Sequence, residues 1–369
     1  MRVLITGGAG FIGSHVADEL VRKGHEVRAL DCLDPQVHGE RASRPSYLDA
    51  SVELMEDDVR DSAAVRRALR GVDAVYHFAA KVGVGQSMYQ PTEYTDVNTL
   101  GTTVLLQELA AKPVQRLIVA SSMSIYGEGR ARDAQGRIVD SALRTLPRLQ
   151  AGQWEPVGAD GSELAPLATP EEKPPCLASV YALTKYDQER LCLMFGDAYR
   201  IPTVALRFFN AYGPRQALSN PYTGVLAIFA CRLLNGNPPL IYEDGHQRRD
   251  FVSVHDIARA CVLALTAPDA PGRALNIGSG ESRTVRDVAA ELGSALGRQV
   301  SPTVTGRYRA GDIRHCFADI TLARQVLGYR PEVSLAAGLA ELGAWLQDQV
   351  AVDGVERAAA ELSSRGLTV

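Results

Sequence analysis

A tyrosine and a lysine stand four residues apart in Tyr181-Ala-Leu-Thr-Lys185, a spacing that puts both on one face if a helix carries them. That face would hold a phenol beside an ammonium, two groups that ordinarily titrate near pH ~10. An adjacent fixed cation lowers a phenol's pKa, which makes Tyr181 a candidate proton acceptor near neutrality. On an exposed helix the same spacing more often means a packed ring and a solvated charge, so the pair needs support from elsewhere in the chain.

Support comes from the first residues. Arg2-Val3-Leu4-Ile5-Thr6 is a short apolar run, followed by Gly7-Gly8-Ala9-Gly10-Phe11-Ile12-Gly13 and then by Val16, Ala17, Leu20 and Val21 at helical spacing, with Gly24 as a stop signal. Glycines at 7, 10 and 13 supply a tight turn, close approach of backbone N–H groups to a pyrophosphate, and close packing of the helix on the sheet. The next strand, Glu26 to Leu30, ends at Asp31. A carboxylate there accepts from the adenosine ribose hydroxyls and repels a 2′-phosphate, so the expected cofactor is NAD rather than NADP.

The elements that must position these residues follow from periodicity. Val52 to Met55, Ala74 to Phe78 and Arg116 to Ala120 read as short buried strands, with Asp61 to Leu69 and Tyr94 to Ala111 as helices between them. Alternation of this kind predicts an α/β fold with a doubly wound parallel sheet. Ligands on such sheets sit at the carboxyl ends of the strands, where Asp31, Asp57-Asp58, His77-Phe78-Ala79-Ala80-Lys81 and Ser121-Ser122-Met123-Ser124 fall together.

Bulk properties fit a soluble enzyme. The 369 residues are 46% apolar and 22% charged, enough to bury a large core in two domains or one elaborated unit. A net charge of −4 gives no reason to invoke nucleic acid or a membrane surface. Cys32, Cys176, Cys192, Cys231, Cys261 and Cys316 show no C-x-x-C pairing, which argues for reduced thiols in a cytoplasm and against a metal site or a disulfide framework. The chain begins as a strand without a basic-then-apolar leader, and no apolar run approaches 18 residues, so neither secretion nor membrane spanning is expected.

Over roughly residues 1 to 345 the chain resembles the extended short-chain dehydrogenase/reductases of the nucleotide-sugar epimerase and dehydratase family. The likeness rests on Gly7/Gly10/Gly13, His77-Phe78-Ala79-Ala80, Ser121-Ser122-Met123-Ser124-Ile125-Tyr126-Gly127, Tyr181-x-x-x-Lys185 and Arg207-Phe-Phe-Asn210-Ala-Tyr-Gly213-Pro-Arg215. Further on come Gln247-Arg-Arg249-Asp250-Phe-Val and Arg309-Ala-Gly-Asp312-Ile-Arg. The resemblance implies that Tyr181 is the acid/base, that Lys185 holds the nicotinamide ribose and depresses the Tyr181 pKa, and that Ser122 hydrogen-bonds the reacting sugar oxygen. It implies cofactor contacts at Gly7, Gly10, Phe11, Ile12, Asp31, Asp58 (toward adenine), Val59, Phe78, Ala79, Ala80, Lys81 and Asn98. Substrate contacts would come from Ser122, Ser124, Asn210, Arg249, Arg309, Asp312 and Cys316, with Asn210 and the two arginines on the diphosphate and Asp312 on the nucleoside ribose.

The same scaffold epimerises, dehydrates, decarboxylates and reduces. Dehydrating relatives carry an Asp-Glu pair directly after the catalytic hydroxyl, because elimination needs an acid for the leaving hydroxide and a base for the C5 proton; decarboxylating relatives keep the Glu. Here those positions are Met123 and Ser124, so the chain resembles the 4-epimerases acting on UDP- or dTDP-hexoses. The contrasting class is a non-catalytic NAD-sensing protein, which loss of Tyr181, Lys185 or Ser122 would have favoured.

Residues 128 to 176, rich in Arg, Asp, Gly and Pro, read as an inserted loop, either surface elaboration or a lid with Trp154 or Arg148 reaching inward. The resemblance makes Cys316 a gate for sugar size, against the plain alternative of a small buried thiol. The expected organisation is a Rossmann-type domain over 1–207 and a smaller sugar-nucleotide domain over 208–350, with some crossing of the chain between them. Helices at Pro221 to Asn235, Thr284 to Leu296 and Ser334 to Leu346 and a strand at Ala274 to Ile277 belong to the second. The tail 351–369 lies outside the family pattern, with a helix signal at Asp353. The resemblance also implies a homodimer packed through the Tyr94 to Ala111 helix and the helix bearing Tyr181.

Overall fold

The computed structural model describes residues 1–40, 43–140, 142, 144–298, 300–309 and 311–368. Its centre is a sheet of seven parallel strands: β1 (Arg2–Thr6), β2 (Glu26–Asp31), β3 (Glu53–Glu56), β4 (Ala74–His77), β5 (Arg116–Ser122), β6 (Thr203–Phe208) and β7 (Ala274–Ile277), in the order β7-β6-β5-β4-β1-β2-β3. The principal helices are α1 (Phe11–Arg22), α2 (Ser62–Ala68), α3 (Gly101–Ala111), α4 (Val180–Tyr199), α5 (Val225–Leu234), α6 (Val254–Thr266), α7 (Val285–Ala295), α8 (Leu335–Leu346) and α9 (Val355–Ser364).

Helices cover both faces of the sheet, which is why β1 and β5 read as continuous apolar runs rather than alternating ones. On one face Val16, Ala17 and Leu20 of α1 and Ile257, Cys261 and Ala264 of α6 share a core with Val3 and Ile5. On the other, Val65 of α2, Leu105 and Leu109 of α3 and Cys192 of α4 pack on Leu4, Val75 and Val119. Strand order reverses between β1 and β4, with Val3 opposite Val27 on one side and Ala74 on the other. The crevice at that reversal is where a doubly wound sheet binds its ligand.

Beyond the sheet, α5, α7 and α8 share a separate core built on Phe229, Leu233, Val288, Leu292, Leu339 and Leu342. The strand at 274–277, expected in this second part, pairs with β6 at the edge of the large sheet instead, and α6 packs on α1. Its apolar Ala-Leu-Asn-Ile reads alike in either sheet; the partner strand settles which.

Two further departures have local causes. The helix expected over 94–111 is interrupted by a π-helical stretch at Thr95–Leu100 before α3 begins. Residues 128–176 are not a plain loop: three short antiparallel strands, 131–132, 138–139 and 165–166, enclose Ala131, Ala142 and Leu164. Asp133 folds their hairpin by accepting from the backbone of Gln135 and Arg137 at 3.0 and 2.8 Å, and Arg130 clamps Asp140 with two bonds of 2.9 Å. Polar bonds of this kind leave no apolar period to read.

Candidate active site

A cavity of about 800 Å³ opens along the carboxyl ends of the strands and runs across to the second core. Its first wall is the glycine turn. Gly7 has φ +71°, and a Cβ there would meet the Ala79 backbone nitrogen at 2.9 Å; one on Gly13 would lie 2.2 Å from Gly7 O. Gly8 belongs to the set too, since a Cβ on it would come within 2.6 Å of Ala29 Cβ. Gly10 starts α1 without a side-chain cap, and Gly10, Phe11, Ile12 and Gly13 line the cavity, so the first N–H groups of the helix face open space. Such an arrangement suits an anion.

At the end of β2, Asp31 accepts from Ala9 N and Leu33 N, each at 3.0 Å, and has lone pairs left for ribose hydroxyls. The glycine cradle, the uncapped helix and this carboxylate fit a dinucleotide. Asp58, Val59, Phe78, Ala79, Ala80 and Lys81 line the same end. Asp58 is held by Arg60 at 2.6 Å, which keeps its carboxyl below the usual range. Lys81 pairs with Asp34 at 2.8 Å.

Asn98 does not reach the cavity. It is fully buried, exchanging hydrogen bonds with the backbone of Lys81 at 2.7 and 3.1 Å and donating to Thr184 at 3.0 Å. Its role is to hold the Lys81 loop against α4, and the π-helical stretch carries it.

Ser122 ends β5 and accepts from Ser124 N at 3.1 Å. Tyr181 lies in the first turn of α4, which Ser179 caps through Ala182 N at 3.1 Å, and its own N–H donates to Ser87 Oγ at 3.0 Å. Ser122, Ser124, Tyr181 and Lys185 all line the cavity. The expected electrostatics need correcting. Burial raises the Tyr181 pKa, and the group that pulls it down is the Ser122 hydroxyl, not Lys185. Lys185 donates instead to Gln188 Oε1 at 2.7 Å, and burial pushes its own pKa down to about 7. A lysine half neutral at pH ~7 is no fixed cation.

At the far end lie Asn210, Arg249, Arg309 and Asp312. Among the described residues, Oδ1 of Asn210 and Oε1 of Gln247 are buried without a hydrogen-bond partner. Arg249 donates to the carbonyls of Arg248 and Arg314, each at 2.9 Å, and to that of Ile313. With carbonyls rather than a carboxylate at hydrogen-bond distance, its half-buried guanidinium suits a diphosphate. Arg309 lies over the Tyr242 ring at 4.6 Å and binds Asp312 at 2.9 Å, so Asp312 is engaged before any ribose arrives.

Cys316 stands outside the cavity wall. It is fully buried in the sheet core, paired in register with Arg249 and 3.9 Å from Thr169 Oγ1, so it packs the core rather than gating a sugar. Trp154 and Arg148 are likewise absent from the lining. Trp154 packs near Tyr308, and Glu155 beside it binds His315 at 2.7 Å and Arg314, tying the insert to the outer face of the second lobe.

Sequence reasoning missed three features. Gln188, one turn beyond Lys185, could have been found from helical spacing alone. The buried pair Glu189–Arg207, at 2.7 Å, links α4 to β6 and had only its arginine in a recognised motif. Val355, Ala358, Ala359 and Leu362 of α9 line the cavity, and nothing local in the tail pointed there.

A parallel sheet with a dinucleotide cradle at one end of its crevice and an arginine-lined end beyond a Ser122–Tyr181 pair defines a nucleotide-dependent enzyme of the short-chain dehydrogenase/reductase type. The chain belongs to the NAD dependent epimerase/dehydratase family, whose model matches residues 3–146 and 149–278, and its cofactor is NAD. It is 34% identical to the dTDP-L-rhamnose 4-epimerase of Burkholderia thailandensis, covering 95% of this chain and 96% of that one. Among solved structures, the UDP-glucose 4-epimerase of Thermotoga maritima with UDP-glucose superposes with a TM-score of 0.76 at 30% identity, over 94% of this chain and 99% of that one. The UDP-glucose 4-epimerase of Thermus thermophilus in complex with NAD gives 0.75 at 31%, over 95% and 100%. No helix among the described residues is long and apolar enough to cross a membrane.

Proposed function

We propose that the protein is a nucleotide-sugar 4-epimerase, inverting C4 of a UDP- or dTDP-hexose. The observation that carries this reading is the state of the carboxylates in the cavity wall. Met123 and Ser124 occupy the positions after Ser122 where elimination would need an acid and a base. Among the described residues, every other lining carboxylate is engaged: Asp31 by backbone N–H groups, Asp34 and Glu93 by Lys81, Asp57 by Arg67, Asp58 by Arg60, Glu243 by Arg144 and Arg314, and Asp312 by Arg309. What is left around Tyr181 is its phenol and the hydroxyls of Ser122 and Ser124, with no free carboxylate, enough for a reaction that moves a single proton out and back.

Tyr181 takes the proton of the sugar 4-hydroxyl and later returns it. Ser122 orients the same oxygen by a hydrogen bond and keeps the phenol from rising as far as burial alone would take it. NAD, when bound, would supply the acceptor and then the donor of the C4 hydride and so would emerge unchanged. Gly7, Gly10, Phe11 and Ile12 would hold its pyrophosphate, Asp31 its adenosine ribose and Lys185 its nicotinamide ribose. Arg249, Arg309 and Asn210 hold the substrate diphosphate, so the 4-keto sugar is free to turn over while its anchor stays in place. The working unit is a homodimer packed through α3, its π-helical lead-in and α4, where Leu100, Leu183 and Met194 are 48%, 45% and 53% exposed.

The test is NMR of the purified protein with a panel of UDP- and dTDP-sugars and no added NAD or NADH. Conversion to the C4 epimer is the expected result. Accumulation of a 4-keto sugar would replace this reading with a dehydratase or decarboxylase, and no product from any sugar would favour a non-catalytic NAD-binding protein.

A further inference from the structure

Helix α9 lies beyond the residues that the family model matches, yet it builds part of the cavity. Val355, Ala358, Ala359 and Leu362 face inward, at the i, i+3, i+4, i+7 spacing of one helix face, while Glu356, Arg357, Ala360 and Ser363 are exposed. The helix is fastened at its start: Asp353 accepts from Arg232 at 3.2 Å and from Asn237 at 2.8 Å. Beyond its end, Arg365 lies over the Tyr89 ring at 4.6 Å and Thr368 forms an antiparallel bridge with Arg309.

The contact of α9 with the rest of the site falls on the sugar side. The Leu362 methyls pack on Gly85 so closely that a Cβ there would meet them at 3.2 and 3.3 Å. Two residues on, Ser87 Oγ accepts the Tyr181 N–H. Leu362 is therefore one short loop from the acid/base residue, and the surface it offers is apolar.

Among the described residues, the basic side chains lining the cavity are all engaged elsewhere. Arg60 pairs with Asp58 and Asp96, and Lys81 with Asp34 and Glu93. Lys185 binds Gln188 beside Tyr181, His38 faces Asp31 at 3.8 Å, and Arg249 and Arg309 serve the diphosphate. A carboxylate on the sugar would be desolvated against α9 with none of these side chains free to meet it.

We infer that α9 is the wall of the sugar subsite and that Leu362 is a specificity-determining residue, restricting the substrate to hexoses with an uncharged C5 substituent, hydroxymethyl or methyl, and excluding hexuronates. This rests on the nucleotide-sugar reading above. It assigns a function to a tail that sequence alone leaves without one.

The experiment compares NAD-loaded wild type with Leu362→Arg and Leu362→Ala. Calorimetry measures binding of UDP, UDP-glucose and UDP-glucuronate and of their dTDP counterparts, and NMR measures turnover of the sugars. Wild type should prefer the hexose over the hexuronate. Leu362→Arg should shift that preference toward the hexuronate by about tenfold or more, with affinity for the bare nucleoside diphosphate unchanged. Leu362→Ala, which adds no charge, should weaken hexose binding without that shift, and circular dichroism checks that both variants fold. A folded Leu362→Arg with an unaltered preference overturns the inference, as does an equal loss of affinity for the bare diphosphate, which would put the wall against the nucleotide. A wild type that binds no nucleotide sugar defeats the epimerase reading itself, and the inference with it.

Discussion

The ammonium of Lys185 donates to Oε1 of Gln188 at 2.7 Å, and the amide nitrogen of Gln188 donates in turn to Thr102 Oγ1 at 3.0 Å and to Ala79 O at 3.3 Å. His77, buried beside them and driven to a pKa of about 3, stays neutral and adds no second charge. The lysine is thus held by a neutral amide inside a dry network, which explains a pKa far below that of a solvated ammonium.

Stability should follow that depression with pH. Between the folded value of about 7 and an unfolded value near 10.4, the unfolded chain holds more protons at this site than the folded one, so folding is favoured as pH rises through the window. Below pH ~7 the full penalty of the buried ammonium is present. Lys185→Met should therefore be more stable than wild type at pH 6 by a few kcal/mol, with the difference shrinking toward pH 10. Denaturant unfolding of the cofactor-free proteins at both pH values measures it; a constant difference would show that Lys185 is not desolvated as described.

Tyr181→Phe keeps the ring that meets Tyr94 edge-on at 6.5 Å and removes only the hydroxyl. Its kcat should fall by about 10² to 10⁴, with nucleotide-sugar affinity within a few-fold of wild type. Ser122→Ala should lower kcat less and raise the pH at which the rate reaches its plateau, since the Ser122 hydroxyl is what pulls the phenol down. Full activity in Tyr181→Phe would remove the phenol from the mechanism.

Glu189 receives two bonds from Arg207, at 2.9 and 2.7 Å, and one from Ser121 Oγ at 2.6 Å, while Arg207 also donates to Tyr126 at 2.7 Å. Truncating either partner leaves the other charged and buried. Glu189→Ala and Arg207→Ala should each cost about 3 to 5 kcal/mol of stability, and the double variant less than the sum. Urea unfolding of the three variants is the measurement, and additive losses would mean that the pair is not coupled.

The exposed apolar side chains of Leu183 and Met194 lie on α4 and that of Leu100 on the π-helical lead-in to α3. Light scattering should give twice the chain mass for wild type and a shift toward monomer for Leu183→Glu/Met194→Glu. A monomeric wild type at micromolar concentration would end the dimer assignment.

Residues whose meaning is local are legible in the amino-acid order alone. The turn at Gly7 to Gly13, Asp31 at the end of its strand, and Tyr181 one helical turn before Lys185 need only the period of their own element and the order of their neighbours. These determine the fold class and the cofactor. Contacts between distant parts of the chain decide the rest. Cys316 is withdrawn from the site because its thiol is buried against Thr169, 147 positions earlier, and Asn98, on the π-helical stretch, because it bonds the Lys81 backbone. Lys185 is bound by Gln188 and its pKa is lowered by burial, a property of everything packed around α4 rather than of the Tyr-x-x-x-Lys spacing. The tail's amphipathic face says only that something covers it; that the cover is the substrate cavity depends on Leu362 meeting Gly85, 277 positions earlier in the chain. Periodicity reports which face of an element is buried, while the identity of the group across from that face is set by tertiary packing.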